Sequence, residues 1–134
     1  MKKVVVFGTF DIFHKGHGNF LEQAKKYGDF LRVVVARDKT VSKVKGYVPK
    51  YSEHERMNVV RKSALADEVI LGRLEDKYEV VREYKPDIIC LGYDQKFFID
   101  DLRKELDKSG LQKTKIIRLK SYKPEIYKSS KLII

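Results

Sequence analysis

Short apolar runs rich in β-branched residues, set between stretches of helical spacing, constrain this chain more than any other feature. The clearest runs are Val4-Val5-Val6-Phe7, Leu31-Arg32-Val33-Val34-Val35-Ala36 and Ile88-Ile89-Cys90-Leu91. Val69-Ile70-Leu71 and Ile116-Ile117-Arg118-Leu119 are weaker. Unbroken apolar character over so few residues marks strands buried on both faces. Between the runs, Phe20, Leu21, Ala24 and Tyr27 make a helical stripe. Ser52 and Glu55 have capping-box spacing, which predicts a second helix with Met57, Val60 and Ala64 on one face. Further helices are predicted near Tyr78 to Tyr84, ahead of Pro86, and near Asp100 to Lys108, ahead of Gly110. Strand and helix alternate, so the expected fold is α/β: a parallel five-stranded sheet with helices on both faces. Ligands of such sheets bind beyond the carboxyl ends of the strands, where the strand order reverses. The ends of interest are those after Phe7, Ala36 and Leu91.

A chain of 134 residues suits one domain over 1–134. No apolar run approaches the ~20 residues that cross a bilayer. The first apolar stretch is too short for a signal peptide, and Gly8-Thr9-Phe10-Asp11 follows it in place of a cleavage site. One cysteine, Cys90, allows no internal disulfide and fits a reducing compartment, so a cytoplasmic location is expected. The net charge of +10 raises nucleic acid as a partner. The basic residues are spread along the chain without a block or arm, which argues against it and leaves a polyphosphate site as the alternative. Ser121 to Ile134 reads as a loop leading into a short helix.

The chemistry is carried by Gly8-Thr9-Phe10-Asp11-Ile12-Phe13-His14-Lys15-Gly16-His17, directly after the first strand. Two histidines flank a glycine where a helix begins. Free N–H groups and partial positive charge suit a helix N-terminus to an anion. Gly8 and Gly16 let the backbone approach a ligand or turn tightly. Two imidazoles can then donate to phosphate oxygens from one side. Nucleotidyl transfer needs such donors and cations, since charge spreads over the α-phosphate and the leaving group and no covalent nucleophile is required. A metal pair is the alternative for two histidines three apart, but no third and fourth ligand of zinc spacing accompany them.

On these residues the chain resembles the cytidylyltransferase-like nucleotidylyltransferases, whose signature is Gly-x-Phe-Asp followed by His-x-Gly-His. The resemblance spans Val4 to Lys131. It implies a Rossmann-like sheet and a divalent cation, usually magnesium. It also implies that His14 and His17 act on the triphosphate and that Thr9, Phe10 and Asp11 line the same site. Lys43 and Lys45 fall where the family places basic residues against the phosphates, with Lys43 as a catalytic candidate, and Arg56 where it carries an arginine facing the nucleotide. Gly92 and Asp94 end the fourth strand, where Asp94 is placed to hold a base or an acceptor.

Near the C-terminus, glycerol-phosphate cytidylyltransferases carry Arg-Thr-Glu-Gly-Ile-Ser-Thr. Here the stretch reads Lys123-Pro124-Glu125-Ile126-Tyr127-Lys128-Ser129, then Ser130. Ser129 and Ser130 can cap a helix and bind phosphate. Lys123 keeps the charge of the arginine and loses its planar fork, which argues against cytosine and glycerol phosphate. Ala36 to Val41, Leu91-Gly92-Tyr93-Asp94-Gln95 and Tyr127-Lys128-Ser129 together resemble the archaeal-type FAD synthases. That resemblance implies ATP as donor and FMN as acceptor, adds Tyr127 and Lys128 to the nucleotide site, and implies a homodimer as often found among relatives. Tyr93, Phe97, Phe98, Tyr122 and Tyr127 are aromatics able to stack on a flavin. The alternatives are a cytidylyltransferase for glycerol 3-phosphate or another phosphorylated alcohol or sugar, an adenylyltransferase for phosphopantetheine, and a basic nucleotide- or RNA-binding module without catalysis.

Overall fold

The computed structural model describes residues 1–92, 95 and 99–120. Five strands and five helices follow in the order β1 (Lys3–Gly8), α1 (Lys15–Lys25), β2 (Phe30–Val35), α2 (Asp38–Lys45), α3 (Glu53–Lys62), β3 (Glu68–Leu71), α4 (Glu79–Tyr84), β4 (Ile88–Leu91), α5 (Ile99–Lys108) and β5 (Lys115–Arg118). The sheet order is β3-β2-β1-β4-β5, and every pairing is parallel. The chain first builds outward from β1 through β2 to β3, then crosses to β4 on the other side. The order therefore reverses between β1 and β4, and Gly8 and Leu91 end the two strands that flank the crevice.

Period-two alternation divides the core. Val4, Val6, Leu31, Val33, Val35, Ile88 and Cys90 point to one face, where they meet Leu21 and Ala24 of α1 and Val60 of α3. Val5, Val34, Ile89 and Leu91 point to the other, against Val80, Val81 and Tyr84 of α4 and Leu102 and Leu106 of α5. Each such valine or leucine contributes about 1.5–3 kcal/mol on burial. The central strands are apolar apart from Lys3 and Arg32 because helices cover them on both sides. The two runs that read as weak are the edge strands β3 and β5, whose residues are mostly half-buried or exposed.

The capping box predicted at Ser52 is present: Ser52 Oγ accepts from the Glu55 amide and Glu55 Oε1 from the Ser52 amide. Met57 and Val60 face the core as expected, but α3 ends at Lys62 and Ala64 lies beyond it in the left-handed region, φ 60°. The segment carrying Lys43 and Lys45 is a helix, α2, closed by left-handed Gly46. The helical segment expected in Ser121 to Ile134 lies outside the described residues. Burial pushes the Cys90 thiol up to about 12, so it stays protonated inside β4. No helix among the described residues is long and apolar enough to cross a membrane.

Candidate active site

His14 is the N-cap of α1, with extended backbone and Nδ1 accepting from the Gly16 amide at 3.0 Å. His17, three residues on, returns the bond: its Nδ1 accepts from the His14 amide at 3.3 Å. The pair forms a capping box made of two imidazoles. The rings stack with centroids 3.9 Å apart and planes 24° from parallel. A ring nitrogen that accepts from an amide carries no proton, so each neutral ring holds its proton on Nε2. Each ring therefore carries an Nε2–H on the edge away from the bonded amide, and that of His14 is buried against its surroundings.

The surroundings keep both rings neutral. Burial lowers the pKa of His14. His17 is lowered to about 3, first by burial, then by the charges of His14 and Lys45. Phe10 meets His17 edge-on at 5.2 Å, and Phe13 packs on it at 5.5 Å. Helix α1 has no acidic residue in its first turn, whereas α3 carries Glu53 and Glu55 in its own. The positive end of the α1 dipole is left for an external anion.

Several residues expected to touch the nucleotide also shape the loop. Phe10 is buried with φ 53°, and its ring lies where a Gly8 side chain would stand: a Cβ there would come within 2.6 Å of the ring. Close approach of Phe10 by itself requires glycine at position 8. Asp11 is buried, and its two oxygens accept the Lys50 and Tyr51 amides at 2.8 and 2.9 Å. Its carboxylate staples the chain ahead of α3 to the histidine loop. Arg56 is built into the same frame. It is 0% exposed, donating from Nε to the Tyr51 carbonyl at 3.0 Å, from one terminal nitrogen to the Thr9 carbonyl at 2.8 Å and from the other to Asp38 Oδ1 at 2.7 Å. It braces three segments beside the histidine loop. Thr9 is half-buried in the loop that Arg56 holds.

Lys43 and Lys45 are both exposed in the last turn of α2. Two residues apart, they point about 200° from each other around the axis. Of the two lysines expected at the phosphates, Lys45 is the one whose charge reaches the histidine pair. Gly92 follows β4 at the crevice: its amide donates to Gln95 Oε1 at 3.1 Å and its carbonyl accepts from Arg118 at 2.6 Å. Arg118 also donates to the Gln95 carbonyl at 3.0 Å, so it clamps this turn. Asp94, Lys123, Tyr127, Lys128, Ser129 and Ser130, with Tyr93, Phe97, Phe98 and Tyr122, lie outside the described residues.

Sequence reasoning missed Asp38, Glu53, Gln95 and Arg118 as parts of this frame. Glu53 Oε1 accepts the Asp38 amide at 2.9 Å, and its Oε2 pairs with Arg37 at 3.1 Å. The one available signal was polar residues directly after apolar runs: Arg37-Asp38 after the second and Arg118 within the fifth. Among the described residues no group of three His, Cys, Asp or Glu side chains is placed to hold a metal ion.

The Cytidylyltransferase-like family profile matches residues 5–134. This chain belongs to the cytidylyltransferase-like family. Two relatives named FAD synthase share close to half its residues. The one from Ferroglobus placidus is 47% identical over 99% of this chain and 86% of its own length. The one from Thermococcus sibiricus is 44% identical over 98% of this chain and 89% of its own. A solved structure described as a lipopolysaccharide core biosynthesis protein, from Thermoplasma volcanium, superposes with TM-score 0.84 at 43% identity, over 91% of this chain and 98% of that one. The α/β fold with its five-stranded parallel sheet is the fold of this cytidylyltransferase-like group.

Proposed function

We propose that this cytidylyltransferase-like protein is an FMN adenylyltransferase: it transfers AMP from ATP to the phosphate of FMN, giving FAD and pyrophosphate. The observation that carries the transfer chemistry is the stacked His14–His17 pair, two neutral Nε2–H donors at a helix N-terminus free of its own carboxylates. The identity of donor and acceptor rests on relatives named FAD synthase that span nearly the whole chain.

An oxygen of the FMN phosphate attacks the α-phosphorus of ATP in line. A bond forms between that oxygen and the α-phosphorus, the bond to the bridging oxygen of the β-phosphate breaks, and pyrophosphate leaves with the electron pair. Negative charge grows on the oxygens around the α-phosphorus and on the leaving group. His14 and His17 donate to those oxygens, and the donors are aligned before the charge develops. Lys45 supplies positive charge beside them. Magnesium enters as part of the substrate, MgATP. This ion keeps several waters and is held largely by phosphate oxygens, so it needs no protein cage of its own. Lys45→Ala should raise the KM for ATP about fivefold, as for one partly solvated charge contact, with Lys43→Ala within twofold of wild type. Equal effects at the two lysines would break the distinction drawn from the helix.

The description of the Thermoplasma volcanium relative favours a second reading, in which the acceptor is a phosphorylated sugar. The same donors would serve it. The deciding experiment incubates purified protein with magnesium, ATP and FMN, and in parallel with CTP and glycerol 3-phosphate or a sugar phosphate. Products are separated by chromatography and pyrophosphate is measured. FAD in the first tube establishes donor and acceptor. A CDP-linked product without FAD keeps the chemistry and replaces the acceptor.

A further inference from the structure

Among the described residues eight large apolar side chains are exposed, and four of them, Val44, Tyr47, Val48 and Tyr51, fall within eight consecutive positions. Val48 is 81% exposed. Single surface hydrophobes need no explanation, whereas a concentration of them marks a place of interaction. Lys43, Lys45 and Lys50 are interleaved with these residues and are exposed as well. A strip that alternates cations with apolar and aromatic side chains suits a ligand that is itself part anion and part flat ring.

The strip is not a loose connection. It starts at left-handed Gly46, and Pro49 within it is buried. The Lys50 and Tyr51 amides both end on Asp11, and the Tyr51 carbonyl accepts from Arg56. Asp11 belongs to the loop that enters α1 at His14, so the strip and the histidine pair are fixed relative to each other. Lys45, at the start of the strip, acts on His17. Burial first, then the charge of Asp11, raises the pKa of the Tyr47 hydroxyl.

We propose that Tyr47 and Val48, backed by Tyr51, form the platform on which the flat ring of the acceptor rests while its phosphate reaches Lys45 and the two histidines. This assignment rests on the reading of the acceptor as FMN. The ring of such an acceptor needs apolar surface within a few residues of the cation that receives its phosphate, and segment 44–51 supplies both on a braced backbone. A second copy of the chain is the competing occupant of the same surface.

The test compares wild type with Val48→Asp, Tyr47→Ser and Tyr47→Phe. It measures the KM for FMN and for ATP separately, kcat, quenching of flavin fluorescence by protein without ATP, and molar mass by light scattering. Val48→Asp and Tyr47→Ser should each raise the FMN KM and the Kd from quenching about tenfold, as for loss of a ring-stacking or apolar wall. The ATP KM should stay unchanged, and Tyr47→Phe, which keeps the ring, should stay near wild type. If the wild type makes FAD while both variants keep their FMN KM, the platform is overturned and the activity stands. If the wild type makes no FAD, the acceptor reading fails first and takes the platform's ligand with it. A lower molar mass for Val48→Asp at unchanged FMN KM assigns the strip to a contact between copies and also overturns the platform. Should Tyr47→Ser fail to fold, Val48→Asp decides alone, because its side chain is almost wholly in solvent.

Discussion

His14→Asn should lower kcat by about two to three orders of magnitude, the range for removing one donor from a developing oxyanion, with little change in thermal stability. The choice of asparagine follows from the cap. His14 holds the Gly16 amide through Nδ1, and an asparagine side-chain oxygen stands close to that position. Asparagine is among the best N-cap residues, so the helix end is kept while the Nε2–H is lost. His17→Gln plays the same part at the third helical position, where a glutamine closes a capping box. Alanine would mix two effects, since losing a cap costs about 1 kcal/mol by itself. Single-turnover rates with ATP and FMN, set beside thermal melts, separate chemistry from folding. A double variant with wild-type turnover would sink the proposed role of the pair.

The largest expected effect on stability lies at Arg56. Replacing it with methionine should cost about 3 kcal/mol and lower Tm by roughly 10–15 °C. The guanidinium is wholly buried and serves two carbonyls as well as Asp38. Methionine fills part of the volume and leaves the Thr9 and Tyr51 carbonyls unserved. Asp38 is 42% exposed and regains water when its partner goes, which keeps the cost at the low end for a broken buried pair. Asp38→Asn should therefore cost less than half as much. Calorimetric melts of the three proteins check the order. An Arg56→Met protein with unchanged Tm and a raised KM for ATP would return Arg56 to the nucleotide.

What could be read from the chain and what could not divides along the range of the forces involved. The three central strands were the most legible because burial from both sides leaves a nearly continuous apolar run, the edge strands β3 and β5 less so, and α3 was legible because Ser52 and Glu55 cap it locally. Helix α2 was not legible. Its N-cap residue Arg37 gives no side-chain cap, and only Val41 of the helix is buried. The first amide of α2 is satisfied by Glu53, which comes from the start of the next helix. A cap supplied across space has no local spacing to find. The signature after β1 located the histidines but could not divide its residues into those that meet a ligand and those that hold the loop. Phe10 and Asp11 are as much part of the motif as His14, and only the packing of the Phe10 ring over Gly8 and the two amides on Asp11 reveal their work. The bracing by Arg56 was hidden for a similar reason: a long cation after a helix start reads the same whether it serves phosphates or buried carbonyls.

The wiring of the two imidazoles also decides what they refuse. A histidine that lends a lone pair from Nε2 to a transition metal keeps its proton on Nδ1 and gives it to an outer acceptor. In this protein both Nδ1 atoms face amide hydrogens, from Gly16 and from His14. Capturing zinc or copper at Nε2 would mean stripping each ring of its last proton or unwinding the first turn of α1. The bonds that hold the helix end in place thereby turn the two rings toward donating to phosphate oxygens and make metal ligation at Nε2 costly.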